Sequence, residues 1–562
     1  MIRLIVLDYL SSLKEKDELD YIFPFLLDQL KFKIVKNVSA SRGQSEYGID
    51  IMAVKVDKDN VKKIFIFQLK GGEDKDIDSH VFYKKDGIHE SLMQIKHGNF
   101  IDSILEIKDL PRKIIIVHNG ELKSNFESTY NGCIKKEFIS EGWEVERWDI
   151  NKLKSLFSKH LLNEYIFVKP EFLSLLKKSL SFIDVPENDF RYFKELVDKI
   201  LNSYKIYNPK NIRRLISTLC MISALVLHYS KEIDNLWPAK ECVTYALLKT
   251  WGWLLEKNAI SSRKIAIKEF LKLYNLHLRI LNLYFFKTIP IAKEKDGLFS
   301  EKGSVFEQIG YPVRSLEYIS YLIYYYQAFV NLNSQSERSI FKNLLVTIKK
   351  IINNNSGCQR PLLDNHSIPI LIILLFLLEN DETEFVNKYL ENVLDNIFLI
   401  KKMRKRLPEL SNNLDSLIEY CSTGTKPKDY IDTSSYLIEI LFEFAYKLKN
   451  KKLFSNYWKR LAKDINLLTY YPPENIEENE CLLFKKQLTE GNSKLFDSNN
   501  IVKDEETAFS YYEKIFNDNS NNERFNFKTD EFGFKHLRML SHIYFKTPLF
   551  PQEWRFLNKR KY

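Results

Sequence analysis

The chain has 562 residues, 45% apolar and 14% aromatic, and carries a net charge of +10. This composition excludes a disordered chain, and six cysteines without a CxxC pair exclude a zinc ribbon and a disulfide scaffold and suit a reducing cytoplasm. Residues 1–165 hold 26 basic and 27 acidic side chains, so the basic excess lies beyond them, where it suits either a polyanion such as nucleic acid or an ordinary lysine-rich surface.

In chain order, "MIRLIVLDYL" is apolar but short, is interrupted by Asp8 and has no small-residue cleavage site, so no signal peptide is expected. Leu19, Phe23, Leu26, Leu27 and Leu30 fall at helical spacing, and Pro24 either kinks that helix or starts it. Residues 32–39 read as a strand. Residues 49–56 and 62–70 read as two more, joined at the turn-forming "DKDN". A helix over 88–106, a strand over 112–119, a helix over 122–140, a strand over 143–150 and a closing helix come next. The expectation is an α/β domain over 1–168, a mixed central sheet flanked by helices. From about 170 onward the apolar spacing is helical throughout, so residues 169–562 are expected to be an all-α region that senses a signal or binds a partner, with a second division near 425–500. The longest apolar run, Ile370–Leu378, is nine residues. A span needs about 20, so it reads as a buried helix and no membrane partner is expected.

The chemistry is expected at the end of the hairpin. Successive strand side chains alternate between faces, so Gln68 and Lys70 share one. A turn centred at Asp59 sets Asp50 opposite Gln68. A carboxylate, an amide oxygen and an ammonium then meet at one edge of the sheet. Asp50, Gln68 and the Leu69 backbone carbonyl offer the oxygen ligands that Mg²⁺ prefers, and Lys70 offers a cation to the charge that builds on a phosphodiester. Asp20, on the sheet-facing edge of the first helix, is a further acid, with Asp17, Glu18 and Glu46 as alternates. His118 at a strand end reads as structural. Gln94 and Lys96, and the basic clusters at 401–406, 447–452 and 558–562, read chiefly as solvated faces.

"RGQSEYGIDIMAV" (42–54) with "IFIFQLKGG" (64–72) and the closing "VERWDINKLKSLF" (145–157) resembles the PD-(D/E)xK nuclease superfamily, specifically its Mrr-like restriction endonuclease branch. The resemblance covers roughly residues 15–160. It implies that Asp50 binds metal, that Gln68 stands where most relatives carry Asp or Glu, and that Lys70 is catalytic. It also puts Asp20, twelve residues before Phe32, at the position of the first-helix acid, where glutamate is usual. The implied function is a DNA endonuclease dependent on Mg²⁺ or Mn²⁺, serving prokaryotic restriction or antiphage defence. The implied partners are further copies of the chain, since cutting both strands takes two sites, and a separate ATPase or sensor subunit. An RNA-cleaving effector and a catalytically inactive assembly protein are the alternatives.

Overall fold

A computed structural model describes residues 2–37, 48–98, 107, 109–160, 170–185, 189–204, 209–332, 338–462, 465–471, 476–485, 494–497, 505–517 and 525–555. The N-terminal part begins with α1 (Ile2–Ser12), a π-turn (Glu15–Leu19) and α2 (Asp20–Gln29). Next come β1 (Lys33–Asn37), β2 (Ile51–Val56), β3 (Lys62–Lys70), α3 (Ser79–Tyr83) and α4 (Ile88–His97). After them the chain forms β4 (Arg112–His118), α5 (Ser124–Glu137), β5 (Glu144–Trp148) and α6 (Ile150–His160). All five expected strands form. The helix expected over 88–106 is seen over Ile88–His97, and 99–106 lie outside the described residues.

The sheet runs β1-β2-β3-β4-β5, with β1, β2 and β3 antiparallel and β4 and β5 joining in parallel. The β2–β3 hairpin turns at "DKDN": Asn60 takes a left-handed φ of +62° and its N–H reaches the Asp57 carbonyl at 3.0 Å. The register pairs Ile51 with Phe67 and Met52 with Ile66, which is the expected centre at Asp59. The parallel return from β3 to β4 needs a crossover, and α3 and α4 supply it.

Both faces of β3 are covered, which is why the strand reads as a continuous apolar run rather than an alternating one. Ile64 and Ile66 join Met52, Val54, Ile114 and Ile116 in a core shared with Phe82, Leu92, Ile95 and Tyr130 of the crossover helices and α5. Phe65 and Phe67 point the other way, into an aromatic cluster with Phe23 of α2, Phe32 and Trp148. Each such buried side chain contributes about 1.5–3 kcal/mol.

Pro24 lies inside α2, and the helix starts at Asp20. A proline ring crowds the carbonyl four residues back, here that of Asp20. The chain enters α2 through the π-turn, whose Leu19 N–H reaches the Lys14 carbonyl at 3.0 Å.

The chain divides into two compact units, Met1–Ala246 with Ser261–Leu276, and Leu247–Ile260 with His277–Tyr562. The expected α/β domain, 1–168, lies within the first unit. The first unit takes in α7 (Pro170–Ser181), α8 (Arg191–Asn202), α9 (Pro209–Glu232) and the first parts of α10 (Trp237–Glu256) and α11 (Arg263–Ala292). The reason is burial. Val6, Tyr9 and Leu10 of α1 need an apolar partner, and α9 packs against α1. Among the described residues α9 is also the one helix long and apolar enough to cross a membrane, and 72% of that window is buried in the protein.

The second unit is mostly helical, and its apolar run does form a buried helix, Ser367–Glu379. It is not all-α as expected. Asn466–Tyr471 pairs in parallel with Ser434–Ser435 and antiparallel with Lys494–Asp497. Leu467, Leu468, Thr469 and Tyr470 are all buried, so this strand carries no alternation that would have marked it in the sequence.

Candidate functional site

The C-terminal end of β3 gathers the side chains expected there. The regular ladder stops at Ile51–Phe67, and the Asp50 N–H bends to the Phe67 carbonyl at 3.2 Å. In place of the next ladder bond, the Leu69 N–H donates to the Asp50 carboxylate at 2.6 Å. The carboxylate thus lies beside the backbone of the residue between Gln68 and Lys70. A strand residue's N–H and C=O point to the same side, so the Leu69 carbonyl also points toward the Asp50 side.

Gly48 makes this possible. Its φ is +71°, and a Cβ added there would stand 2.4 Å from the Ser91 carbonyl oxygen of α4. Glycine adopts that conformation without strain and only glycine permits that approach, so the Gly-x-Asp spacing has a physical cause.

Gln68 is 2% exposed, and its Oε1 finds no hydrogen-bond donor among the described residues. A buried acceptor left unmet costs about 1–3 kcal/mol. Lys70 is not the exposed strand-end lysine that the sequence suggests. Its side chain is 13% exposed, and its Nζ lies 3.4 Å from Oε1 of Glu15. Glu15 also accepts from the Gly71 N–H, and burial, opposed by Lys70, raises its pKa above the usual carboxylate range.

Glu15 is the residue that sequence reasoning missed. It lies on the π-turn, where α-helical spacing gives the wrong facing, so no stripe would have found it. Asp20, the acid expected from the sequence, is the half-buried first residue of α2, the helix that covers the Phe67 side of the sheet. The acid paired with Lys70 is Glu15. Of the alternates, Glu18 pairs with Arg214 and accepts from the Lys14 N–H at 2.7 Å, while the side chain of Asp17 and all of Glu46 lie outside the described residues.

Asn119, also unread in the sequence, holds the π-turn in place. It is fully buried at the end of β4, and its Nδ2 donates to the carbonyls of Leu10 at 2.7 Å and Leu13 at 2.9 Å. The Leu10 carbonyl also accepts from the Leu13 N–H and the Leu13 carbonyl from the Gly72 N–H, each at 3.2 Å. Gly71 lets the turn come close: a Cβ there would be 2.8 Å from the Glu15 nitrogen.

His118, read from the sequence as structural, ends β4. It is fully buried, with Nδ1 2.9 Å from the Lys75 carbonyl and Nε2 3.2 Å from Arg147 Nη1. Burial pushes its pKa down to about 4. A depressed histidine pKa means the fold favours the neutral ring, so its stability contribution is present above pH 6.5 and lost as pH falls from 6.5 toward 4. The loss amounts to about 3 kcal/mol in full. An NMR titration of the His118 ring should give a midpoint near 4, whereas one near 6.5 would mean the ring reaches solvent. Lys96 ties α4 to the end of α5, with Nζ 2.8 Å from both the Glu137 carbonyl and Glu141, and Gln94 is exposed. Lys401 holds the Arg460 carbonyl at 2.8 Å, Lys447 donates to the Trp554 carbonyl, and 558–562 lie outside the described residues.

A cleft of about 1100 Å³ opens next to the site, wholly within the first unit, and Gly71 and Gly72 line it. Six cations border it, Lys14, Lys75, Arg213, Arg214, Lys268 and Lys272, against the acids Asp8, Glu73 and Glu269. Lys272 is held by Asp8 and Glu269, each at 2.9 Å. The excess is positive, as a phosphate-bearing strand requires.

Compared with protein-family models, with curated proteins and with solved structures, the chain gives no match.

Proposed function

We propose that the chain is a metal-dependent endonuclease that hydrolyses phosphodiester bonds in DNA. The observation that supports it most is the meeting at one strand end of the Asp50 carboxylate, the buried unmet Gln68 oxygen and the Lys70 ammonium. The donor set fits a hard cation. Asp50, Gln68 and the Leu69 carbonyl offer oxygens only, and a cation would satisfy the Gln68 acceptor that no donor reaches. Mg²⁺ or Mn²⁺ held there would supply Lewis-acid activation of water and phosphate. Lys70 presents its N–H groups to a phosphate oxygen as negative charge develops on it, and Glu15 fixes where the ammonium points. The positive cleft holds the neighbouring phosphates. Restriction or antiphage defence, action as an oligomer, and signals received through the second unit or an ATPase subunit extend this reading.

A second reading draws on one contact. The Asp50–Leu69 hydrogen bond would also serve a nuclease fold kept only for assembly, as a cap on a strand end. Calorimetry with Mn²⁺ separates the two: uptake by the wild type that Asp50→Asn removes supports the enzyme, and equal heats from both proteins refute it. Plasmid, linear, single-stranded and RNA substrates with Mg²⁺ then identify the polymer. Asp50→Asn should lose about 10²-fold or more in rate.

A further inference from the structure

A second cluster of chemical groups lies away from Lys70, on the helices that cover the Ile64–Ile66 face. We infer that His89, Cys133 and Glu137 form a binding site for a thiophilic divalent cation of the zinc type. The inference is independent of the nuclease reading.

The fold brings the three together. Cys133 and Glu137 stand four residues apart on α5 and so share a helix face. His89 stands on α4, whose Ile88, Leu92 and Ile95 enter the same core as Phe126, Tyr130 and Ile134 of α5. The ligand atoms of the three side chains all lie within 4.8 Å of one another, and His89 Nε2 is 2.9 Å from Glu137 Oε2. Among the described residues no other group of His, Cys, Asp and Glu side chains meets that criterion.

The imidazole is held for the purpose. Its ring packs against those of Phe82 and Tyr83, at centroid separations of 5.6 and 5.3 Å. The Tyr83 side chain also neighbours the Cys133 sulfur, where it can orient a metal-bound thiolate. Bonds of about 2.0–2.3 Å to a tetrahedral ion put neighbouring ligand atoms about 3.3–3.8 Å apart. Adjustments of about 1 Å or less, within reach of side-chain rotation, would close the site. His89 and Glu137 keep 27% and 35% of their side-chain surface exposed, so an ion can enter.

The donors choose the ion. Thiolate with imidazole suits Zn²⁺ and not Mg²⁺, which wants oxygen alone. Three protein ligands leave a fourth position for water, the pattern of an open rather than a closed structural site.

Cobalt(II) tests this, because a thiolate ligand gives it a charge-transfer absorption that oxygen ligands do not. The full-length chain, stripped with a chelator, should take up Co²⁺ with that absorption, and Zn²⁺ should abolish it. Cys133→Ser should lose it, His89→Gln should weaken uptake by at least about tenfold, and Asp50→Asn should leave it unchanged. Cys421 and Cys481 are the other partly exposed thiols, so Cys133→Ser decides the source. Absence of the absorption in the wild type, or its survival in a Cys133→Ser protein with an unchanged circular dichroism spectrum, overturns the proposal. If Cys133→Ser does not fold, undiminished uptake by His89→Gln does the same.

Discussion

Lys70→Ala should lose phosphodiester cleavage by about 10²–10³-fold, the scale for removing one preorganised donor from a developing negative charge. A strand-end lysine judged from sequence alone would be expected to matter little for stability. The structure changes that part. Lys70 is mostly buried and is the cation beside Glu15, whose carboxyl burial already pushes up. With the ammonium gone, that carboxylate loses its counter-charge, and the fold should lose about 1–3 kcal/mol near neutral pH. The loss depends on pH. Without Lys70 the Glu15 carboxyl is raised further, its protonated form is favoured in the fold, and the deficit shrinks as pH falls through the Glu15 pKa. Urea midpoints across pH measure this, and Glu15→Gln in the Lys70→Ala background should recover stability without recovering cleavage. A Lys70→Ala protein that cuts plasmid DNA at the wild-type rate would refute the catalytic assignment.

The second large effect belongs to a residue with no functional group. Gly48→Ala should destabilise the first unit by about 3 kcal/mol or more. About 1–2 kcal/mol comes from a side chain at positive φ, and the rest from overlap with the Ser91 backbone of α4. That backbone cannot swing aside as a flexible side chain would, so residue 48 must move. Asp50 lies two residues further on, and its position rests on two short contacts with β3. A shift of about 1 Å there is enough for a 10²-fold loss in rate. Gly132→Ala is the control. It lies within α5 with nothing within 4 Å of the added Cβ, and it should be neutral or stabilising by up to about 1 kcal/mol. Equal thermal midpoints for Gly48→Ala and the wild type would show that the close approach to α4 is not maintained in solution.

The strand half of the candidate site was legible in the sequence because strand geometry is periodic and local. A two-residue period puts Gln68 and Lys70 on one face. A turn recognisable from "DKDN" sets the register that carries Asp50 to Gln68. The helical half was not. The π-turn at Glu15–Leu19 interrupts α-helical spacing at the residue that pairs with Lys70. Nothing in "EKDEL" announces the turn. It is held from outside, by Asn119 just past β4, which grips the Leu13 carbonyl leading into it, and by the space that Gly71 leaves.

The same division holds for the whole chain. Apolar periodicity and turn chemistry by themselves determined the five strands, their hairpin register, the helical character of most of the chain beyond residue 170 and the buried helix at Ser367–Glu379, since each depends on residues close in sequence. Tertiary structure alone decided the rest. Burial of α1 drew α9 into the first unit. Packing also selected Glu15 as the partner of Lys70, and it brought His89 to Cys133 and Glu137 across two helices. These outcomes rest on contacts between segments 44 to more than 100 residues apart, such as His89 with Cys133 and Asn119 with Leu10. No local pattern encodes such contacts, because the surface each segment must cover exists only once the others have folded.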